Sequence, residues 1–250
     1  MNTREVTLKV DGLKIESRFY VPDGTGQIPY PTVCICHGIP SGQPANPADG
    51  GYPLLAEKIC HQGFAVFIFS FRGTGNSGGN LDMLGWARDL KAAVDYLCAL
   101  PEVDRERLFL LGFSGGAAVS LYLAADDNRI SGVAACASPA EFGFVDPLPL
   151  IDRFRSIGVF RDEGFPSSAA EWLNGFRLVS PLDHIARIAP RPVLLVYGSH
   201  DEVVPVGHAY RLLSRAREPK HLIIVDGAGH RLRQNDRAMG IVLDWLKSQC

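Results

Sequence analysis

The sequence lacks the features of a membrane, secreted or nucleic-acid-binding protein. Among its 250 residues, no apolar run approaches the roughly 18 residues that a membrane-spanning helix needs. The formal net charge is −2, so there is no basic excess to bind nucleic acid. The chain enters a predicted strand directly after its first residues, without the apolar region of a signal peptide. We therefore expect a cytoplasmic protein without a nucleic-acid partner or a membrane span.

Paired cysteine spacing of the kind that binds zinc is also absent. The six cysteines fall in predicted strands, in predicted helices and at the last position: Cys34, Cys36, Cys136, Cys60, Cys98 and Cys250. We expect them to act as small buried hydrophobic residues in a reducing compartment, not as metal ligands or disulfides. Cys34 and Cys36 would project to the same face of one strand, because side chains alternate with a period of two.

Apolar strands alternate with helical patterns along most of the chain, without internal repeats or low-complexity segments. A hairpin is predicted first, from Val6 to Val21 around Asp11-Gly12. Further strands are predicted at 32–36, 65–69, 108–112, 132–137, 192–198 and 221–225. Helices are predicted near 53–62, 84–100, 115–125 and 236–248. This alternation predicts an α/β protein with a mainly parallel sheet covered by helices on both faces.

The most informative motif is Gly112-Phe113-Ser114-Gly115-Gly116, which follows a predicted strand and begins a predicted helix. A sharp strand-to-helix turn forces its central residue into strained backbone geometry, and glycines on both sides avoid collisions. Such a turn presents the Ser114 hydroxyl at the edge of the sheet, near the positive end of the following helix. In this context the motif predicts a nucleophilic serine.

A serine nucleophile needs a base, and two loops after later strands supply candidates. Asp201 follows the strand that ends at Gly198, and His230 lies in the glycine-rich loop after the last strand. Both loops follow the carboxyl ends of strands, where open α/β sheets form their active sites. Alternatives for the acid and for the base lie directly beside Asp201 or in other loops: Glu202, Asp226, Asp183, His200 and His37. Asp201 is preferred because it directly follows the Gly-Ser-His turn.

The order Ser114, Asp201, His230 is that of the α/β-hydrolases, and the chain resembles this superfamily from about Val6 to Leu246. Three further segments carry the resemblance: His37-Gly38-Ile39-Pro40, Phe71-Arg72-Gly73-Thr74-Gly75-Asn76-Ser77 and Ser180-Pro181-Leu182-Asp183. The chain is similar to small bacterial serine carboxylesterases of the cinnamoyl or feruloyl type. Related peptidase-like hydrolases share most of these segments.

The resemblance implies a single α/β-hydrolase domain over residues 1–250, with a mostly eight-stranded sheet. It implies a Ser114–His230–Asp201 triad, and an oxyanion hole formed by the backbone N–H groups of Gly115 and Ile39. His37 would shape the oxyanion loop without acting as the base, and Arg72-Gly73 would brace the loop over the site. No cofactor and no metal would be required.

The regular pattern breaks between Pro139 and Ala189, over a stretch too long for a plain strand-to-helix connection. We interpret residues 140–180 as a small cap of short helices over Ser114, whose apolar side chains line the substrate pocket. The alternative is an insertion that packs its aromatic residues against its own core: Phe142, Phe144, Phe154, Phe160, Phe165, Trp172 and Phe176.

The expected reaction is the hydrolysis of a small-molecule carboxylic ester through an acyl-enzyme. Peptidase or aminopeptidase activity and thioester cleavage remain alternatives on the same fold, since acidic residues of the cap could hold an amine: Asp146, Asp152, Asp162, Glu163 and Glu171. A non-catalytic binding module is a further alternative, but such a protein would be expected to lose one of the three triad residues. A homodimer is one possibility for a small enzyme of this type.

Overall fold

One eight-stranded sheet runs through the molecule and determines where the functional loops lie. The computed structural model describes residues 1–23, 28–42, 49–144 and 146–250. In chain order the strands are β1 (Asn2–Val10), β2 (Leu13–Val21), β3 (Tyr30–Cys36), β4 (Ala65–Phe69), β5 (Val103–Phe113), β6 (Gly132–Cys136), β7 (Val193–Gly198) and β8 (Lys220–Val225). Their order across the sheet is β1-β2-β4-β3-β5-β6-β7-β8. Strand β1 is antiparallel to β2, and β2 is antiparallel to β4, whereas all other neighbours are parallel.

Helices follow most of the strands and cover the sheet. They are α1 (Gly51–Cys60), α2 (Met83–Cys98), α3 (Gly115–Ala124), α4 (Leu148–Ser156), α5 (Ala169–Leu178), α6 (Gly207–Arg215) and α7 (Asp236–Ser248). Within the described ranges, no helix is both long and apolar enough to cross a bilayer. Together with the strand order and strand directions given above, these helices confirm the predicted α/β fold with a mainly parallel eight-stranded sheet.

Alternating side chains of the central strands pack into two separate hydrophobic layers, one on each face of the sheet. In β3, Cys34 and Cys36 belong to the layer beneath α2 and α3, while Val33 and Ile35 belong to the layer beneath α1 and α7. A strand whose two faces are both buried has a continuously apolar sequence, and these central strands have such sequences. The two cysteines thus share one face as predicted, and all six cysteines of the chain are free thiols.

The hairpin at the start of the chain is also confirmed. Asp11 and Gly12 have φ angles of 52° and 78°. Positive φ at both central residues is the geometry of a type I′ turn, which suits the twist of two antiparallel strands and favours Asp-Gly. The strands themselves begin earlier than the apolar pattern predicts, because β1 starts at Asn2 and β5 at Val103.

Helix α6 was not predicted from the sequence. Only Ala209 and Leu212 of its nine residues are buried, so its apolar stripe is narrow. Most of its surface is polar and exposed, and a helix of nine residues repeats its apolar positions too few times to be recognised from the sequence.

The irregular stretch between β6 and β7 contains α4 and α5. The predicted cap, residues 140–180, is described except for residue 145, which lies outside the described residues. Trp172 of α5 donates a hydrogen bond from its indole N–H to the carbonyl oxygen of Leu81, at 3.0 Å. Arg161 donates to the carbonyl oxygens of Ser77 and Gly75. The insertion is therefore attached to the loop between β4 and α2.

Candidate active site

The turn between β5 and α3 has the strained geometry expected of it. Ser114 has φ 53° and ψ −121°, a conformation that L-residues with a side chain rarely adopt. A Cβ atom on Gly112 would collide with the backbone of Ala117, and one on Gly116 would collide with the carbonyl oxygen of His37. The glycines on either side of Ser114 are therefore required by close backbone approach.

The structure brings Ser114, Asp201 and His230 together at the carboxyl edge of the sheet. The Nε2 atom of His230 lies 3.1 Å from the Oγ atom of Ser114. Its Nδ1 atom lies 2.8 Å from Oδ2 of Asp201. The Asp201 side chain is fully buried, whereas that of His230 is 23% exposed. An imidazole placed between a hydroxyl group and a buried carboxylate in this way has the geometry needed to activate the hydroxyl group.

His230 and two backbone amides together stabilise the ionised form of the Asp201 carboxylate. The amides of Val203 and Val204 donate to its Oδ1 atom at 2.9 and 2.8 Å. Burial raises the pKa of Asp201, but the hydrogen bonds from His230 and from these amides outweigh that effect, so the net pKa lies below the ordinary value. A carboxylate that stays charged favours the His230 tautomer with a proton on Nδ1, which leaves Nε2 free to accept the serine proton.

The alternative acids and histidines have other surroundings. The Asp226 carboxylate accepts a hydrogen bond from the Ser199 hydroxyl at 3.3 Å. Glu202 and His200 are exposed to solvent. The Asp183 backbone carbonyl, rather than its carboxylate, accepts a hydrogen bond from Arg187.

His37 has both ring nitrogens engaged by the backbone. Its Nε2 atom accepts a hydrogen bond from the amide of Phe71 at 3.0 Å, and its Nδ1 atom lies 2.8 Å from the carbonyl oxygen of Gly38. An Nε2 that accepts from an amide carries no proton, so Nδ1 must be the donor. Burial lowers the pKa of His37 despite the opposing effect of the Gly38 bond, which keeps the ring neutral. This ring connects the loop after β3 to the loop after β4.

The residues predicted to form the oxyanion hole lie side by side. A Cβ atom on Gly115 would be 3.6 Å from the backbone nitrogen of Ile39 and 3.0 Å from its side chain. A Cβ atom on Gly38 would be 3.0 Å from the Cβ atom of Ser114. The His37–Ile39 loop therefore packs directly on the turn that carries Ser114.

Arg72 connects the loop between β4 and α2 to neighbouring elements through ion pairs of its buried side chain. Its guanidinium group donates to Oδ1 of Asp89 at 2.7 Å, and it forms a second ion pair with Asp11 at 2.9 Å. The Arg72 side chain is 6% exposed and that of Asp89 is fully buried. Moving the loop away from these partners would leave a buried charge unpaired, which is costly. The ion pairs therefore fix the loop to α2 and to the first hairpin.

A cavity of about 350 Å³ opens beside Ser114 and His230. Its walls come from the loop after β3, the turn with Ser114 and the segment after His230: His37, Gly38, Ile39, Pro40, Ser41, Asp49, Tyr52, Phe113, Ser114, His230, Arg231, Leu232, Arg233 and Gln234. None of these described lining residues belongs to the insertion at 140–180. The aromatic side chains Trp172 and Phe176 pack instead into the hydrophobic layer beneath α2.

Sequence reasoning missed the polar wall of this cavity. Arg233, Gln234 and Asp49 form it together, and Tyr52 lies against Arg233 with its ring centroid 5.0 Å from the guanidinium carbon. The only sequence signal was the position of Arg233 and Gln234, three and four residues after His230.

The fold and these residues define a serine hydrolase of the α/β-hydrolase superfamily. The family model of the prolyl oligopeptidase family matches residues 54–250, and the chain belongs to that family. The matched range includes Ser114, Asp201 and His230.

Known proteins resemble the chain over most of its length. It is 32% identical over 233 residues to the uncharacterized protein Rv2307c of Mycobacterium tuberculosis, covering 91% of this chain and 72% of that protein. The α/β-hydrolase GrgF from Penicillium has a similar fold, with a TM-score of 0.75 and 20% identity, covering 100% of this chain and 99% of GrgF. The esterase domain of a Rhodothermus marinus protein is similar too, with a TM-score of 0.71 and 22% identity, covering 99% and 97% of the two chains.

Proposed function

We propose that this protein hydrolyses a carboxylic ester by a Ser-His-Asp mechanism. Ser114 Oγ attacks the ester carbonyl carbon while His230 Nε2 takes the serine proton. The tetrahedral oxyanion accepts hydrogen bonds from the backbone N–H groups of Gly115 and Ile39. His230 then returns the proton to the departing alkoxide, which leaves as the alcohol, and Ser114 remains acylated. Water attacks the acyl-enzyme in the same way and releases the carboxylic acid.

The observation that carries this proposal is the distance of 3.1 Å between His230 Nε2 and Ser114 Oγ, together with the buried Asp201 behind the imidazole. A hydroxyl within hydrogen-bond reach of an oriented base is the requirement for an acyl-enzyme mechanism. The membership in a serine hydrolase family supports the same chemistry.

The charges of the cavity favour an ester over an aminopeptidase substrate. An aminopeptidase needs an available carboxylate to hold the ammonium group of its substrate. Among the described lining residues, Asp49 is the acidic side chain, and it already accepts hydrogen bonds from Arg233, Gln234 and the amide of Gly51. The acidic residues of the insertion are not among the cavity walls. A neutral ester therefore suits this cavity better than a charged peptide terminus.

Peptide hydrolysis is the second candidate, and the prolyl oligopeptidase family match favours it. The mechanism at Ser114 would be the same, because only the leaving group differs. The distinction lies in the groups that hold the substrate.

Residues 140–180 are proposed to form a cap that borders the site at one point. A Cβ atom on Gly42 would overlap the side chain of Ile157, and Gly42 directly follows Ser41 at the cavity wall. Arg161 and Trp172 attach the insertion to the loop between β4 and α2. The proposed cap thus limits access from this side, while its aromatic residues pack inward.

The test compares p-nitrophenyl acetate and butyrate, an acyl thioester and a set of aminoacyl p-nitroanilides. We expect the esters to give the highest kcat/KM, and a fluorophosphonate to label Ser114. A clear preference for the anilides would replace the ester proposal by the peptidase one. Absence of fluorophosphonate labelling in folded protein would contradict both.

A further inference from the structure

The polar wall of the catalytic cavity is a closed network around Asp49. Arg233 donates to both carboxylate oxygens of Asp49, with an Nη1–Oδ1 distance of 2.7 Å. Gln234 adds a bond from Nε2 to Oδ2 at 2.6 Å, and the amide of Gly51 donates to Oδ1 at 3.0 Å. Two-point Arg–carboxylate pairs have fixed geometry. The Arg233 and Asp49 side chains are 17% and 19% exposed, so solvent screens this pair less than a fully exposed one.

The same three residues also line a second cavity. This second cavity has a volume of about 410 Å³ and lies between α1 and α7. Asp49, Arg233 and Gln234 line both cavities, so their side chains separate the two spaces. Beyond them the second cavity is lined by the apolar side chains of Leu54, Leu55, Met239 and Leu243 and by the charged residues Lys58 and Asp236. Leu54 is 42% exposed, which makes apolar surface available to a ligand.

The catalytic cavity by itself is small. Its volume of about 350 Å³ lies at the low end of the roughly 300–1,000 Å³ typical of ligand pockets. Joining the two cavities would roughly double the space, and the added part would have an apolar side. The wall therefore stands between the catalytic cavity and the nearby apolar surface of the second cavity.

We propose that the Asp49–Arg233 ion pair sets the maximum length of the substrate chain, so that the enzyme selects short esters. This inference rests on the proposed ester hydrolysis at Ser114. A long alkyl chain would meet the partly buried ion pair before it reached Leu54 and Met239. Breaking the pair to let the chain pass would strand a partly buried charge, which disfavours long substrates. Removing the wall should open the route to the apolar surface.

The test uses alkyl fluorophosphonates and ester series together. Ser114 Oγ attacks phosphorus, the P–F bond breaks, fluoride leaves and His230 takes the serine proton. This labelling reports on chain length even if the protein hydrolyses no ester, so failure of the size limit is distinguishable from failure of the ester proposal. The probes are ethyl and dodecyl fluorophosphonates. The esters are p-nitrophenyl acetate to decanoate and alkyl acetates of increasing alcohol length.

We expect wild-type protein to react faster with the short members. In Arg233→Ala and Asp49→Ala, the long-to-short ratio should rise by at least about tenfold, since even one well-packed methylene group can be worth that factor. The ratio corrects for any general loss of activity. Arg187→Ala is the matched control, because Arg187 pairs with Asp126 at a site away from the cavity and its loss should leave the ratio unchanged.

Three outcomes decide the proposal. A raised ratio in either alanine variant, in the probes or in one ester series, supports the size limit. An unchanged ratio in the folded variants overturns it. If Arg233→Ala does not fold, the result for Asp49→Ala decides. If neither variant folds, the wild-type protein provides the test, because equal reaction with short and long probes would overturn the proposal.

Discussion

The Nε2 atom of His230 lies 3.1 Å from the Oγ atom of Ser114, although 116 positions separate the two residues in the chain. The parallel sheet explains this proximity. Ser114 follows β5 and His230 follows β8, and parallel strands bring their carboxyl ends to one edge. Asp201, after β7, completes the group from the loop between them. A shared edge therefore assembles the proposed triad without any sequence proximity.

Replacing the proposed nucleophile should remove catalysis while preserving the fold. For Ser114→Ala we expect kcat for p-nitrophenyl acetate to fall by at least about 10³-fold, because no hydroxyl remains for His230 to activate. Ser120→Ala, in the helix that follows Ser114, is the matched control, since its hydroxyl donates to the carbonyl oxygen of Gly116. Unfolding curves of both variants check the fold. Near-normal activity of Ser114→Ala would contradict the assignment.

Asp201→Asn removes the charge of the proposed triad acid while nearly preserving the size and shape of its side chain. The amides of Val203 and Val204 donate to Oδ1 of Asp201, so the asparagine oxygen would take that position and its NH₂ group would face Nδ1 of His230. This selects the wrong imidazole tautomer, with Nε2 protonated toward Ser114. We expect a loss of roughly 10³–10⁴-fold in kcat with little change in KM. Asp226→Asn, measured in parallel, should behave as wild type.

The same substitution gives a prediction for stability against pH. Interactions with His230 and two amides hold the pKa of Asp201 below its ordinary value in the folded protein, despite burial. An ionised group with a lowered folded-state pKa stabilises the protein fully above its unfolded pKa, near 3.9, and loses that contribution as the pH falls toward the folded value. Near pH 5, where the carboxylate is ionised in both the folded and the unfolded state, the difference in unfolding free energy between wild type and Asp201→Asn should therefore contain this full contribution. Denaturant titrations should find this difference shrinking below about pH 4, and a constant difference down to pH 2 would contradict it.

Local chemistry made part of this molecule predictable. The strained turn at Ser114 needs glycines at fixed offsets, and the apolar strands needed for a buried parallel sheet are visible as runs. These features allowed the fold class to be predicted, and the structure confirms it. The catalytic roles of Ser114, Asp201 and His230 remain predictions that rest on their geometry.

Other features depend on contacts that no local pattern encodes. Asp49 and Arg233 pair although 184 positions separate them in the chain. Asp49 lies outside any helix or strand and Arg233 lies in a short 3-10 helix, so neither belongs to a periodic sequence pattern that would predict the contact. His37 follows a strand as an active-site histidine would, and only its two backbone partners, Phe71 and Gly38, identify it as structural. Helix α6 has only nine residues, so its apolar positions repeat too few times to identify a helix in the sequence.

Adding one methyl group near the proposed nucleophile should test the close packing of the Ser114 turn. A Cβ atom on Gly116 would collide with the carbonyl oxygens of His37 and Cys36, which belong to the loop after β3 and to the end of β3 itself. We expect Gly116→Ala to lower the unfolding free energy by about 3 kcal/mol or more, because backbone must shift to relieve the overlap. Gly240→Ala is the matched control within helix α7, where a new Cβ atom would meet no atom within 4 Å. That variant should gain about 0.5–1 kcal/mol from the higher helix propensity of alanine. Equal stabilities of the two variants in urea titrations would show that the turn is less tightly packed than these distances require.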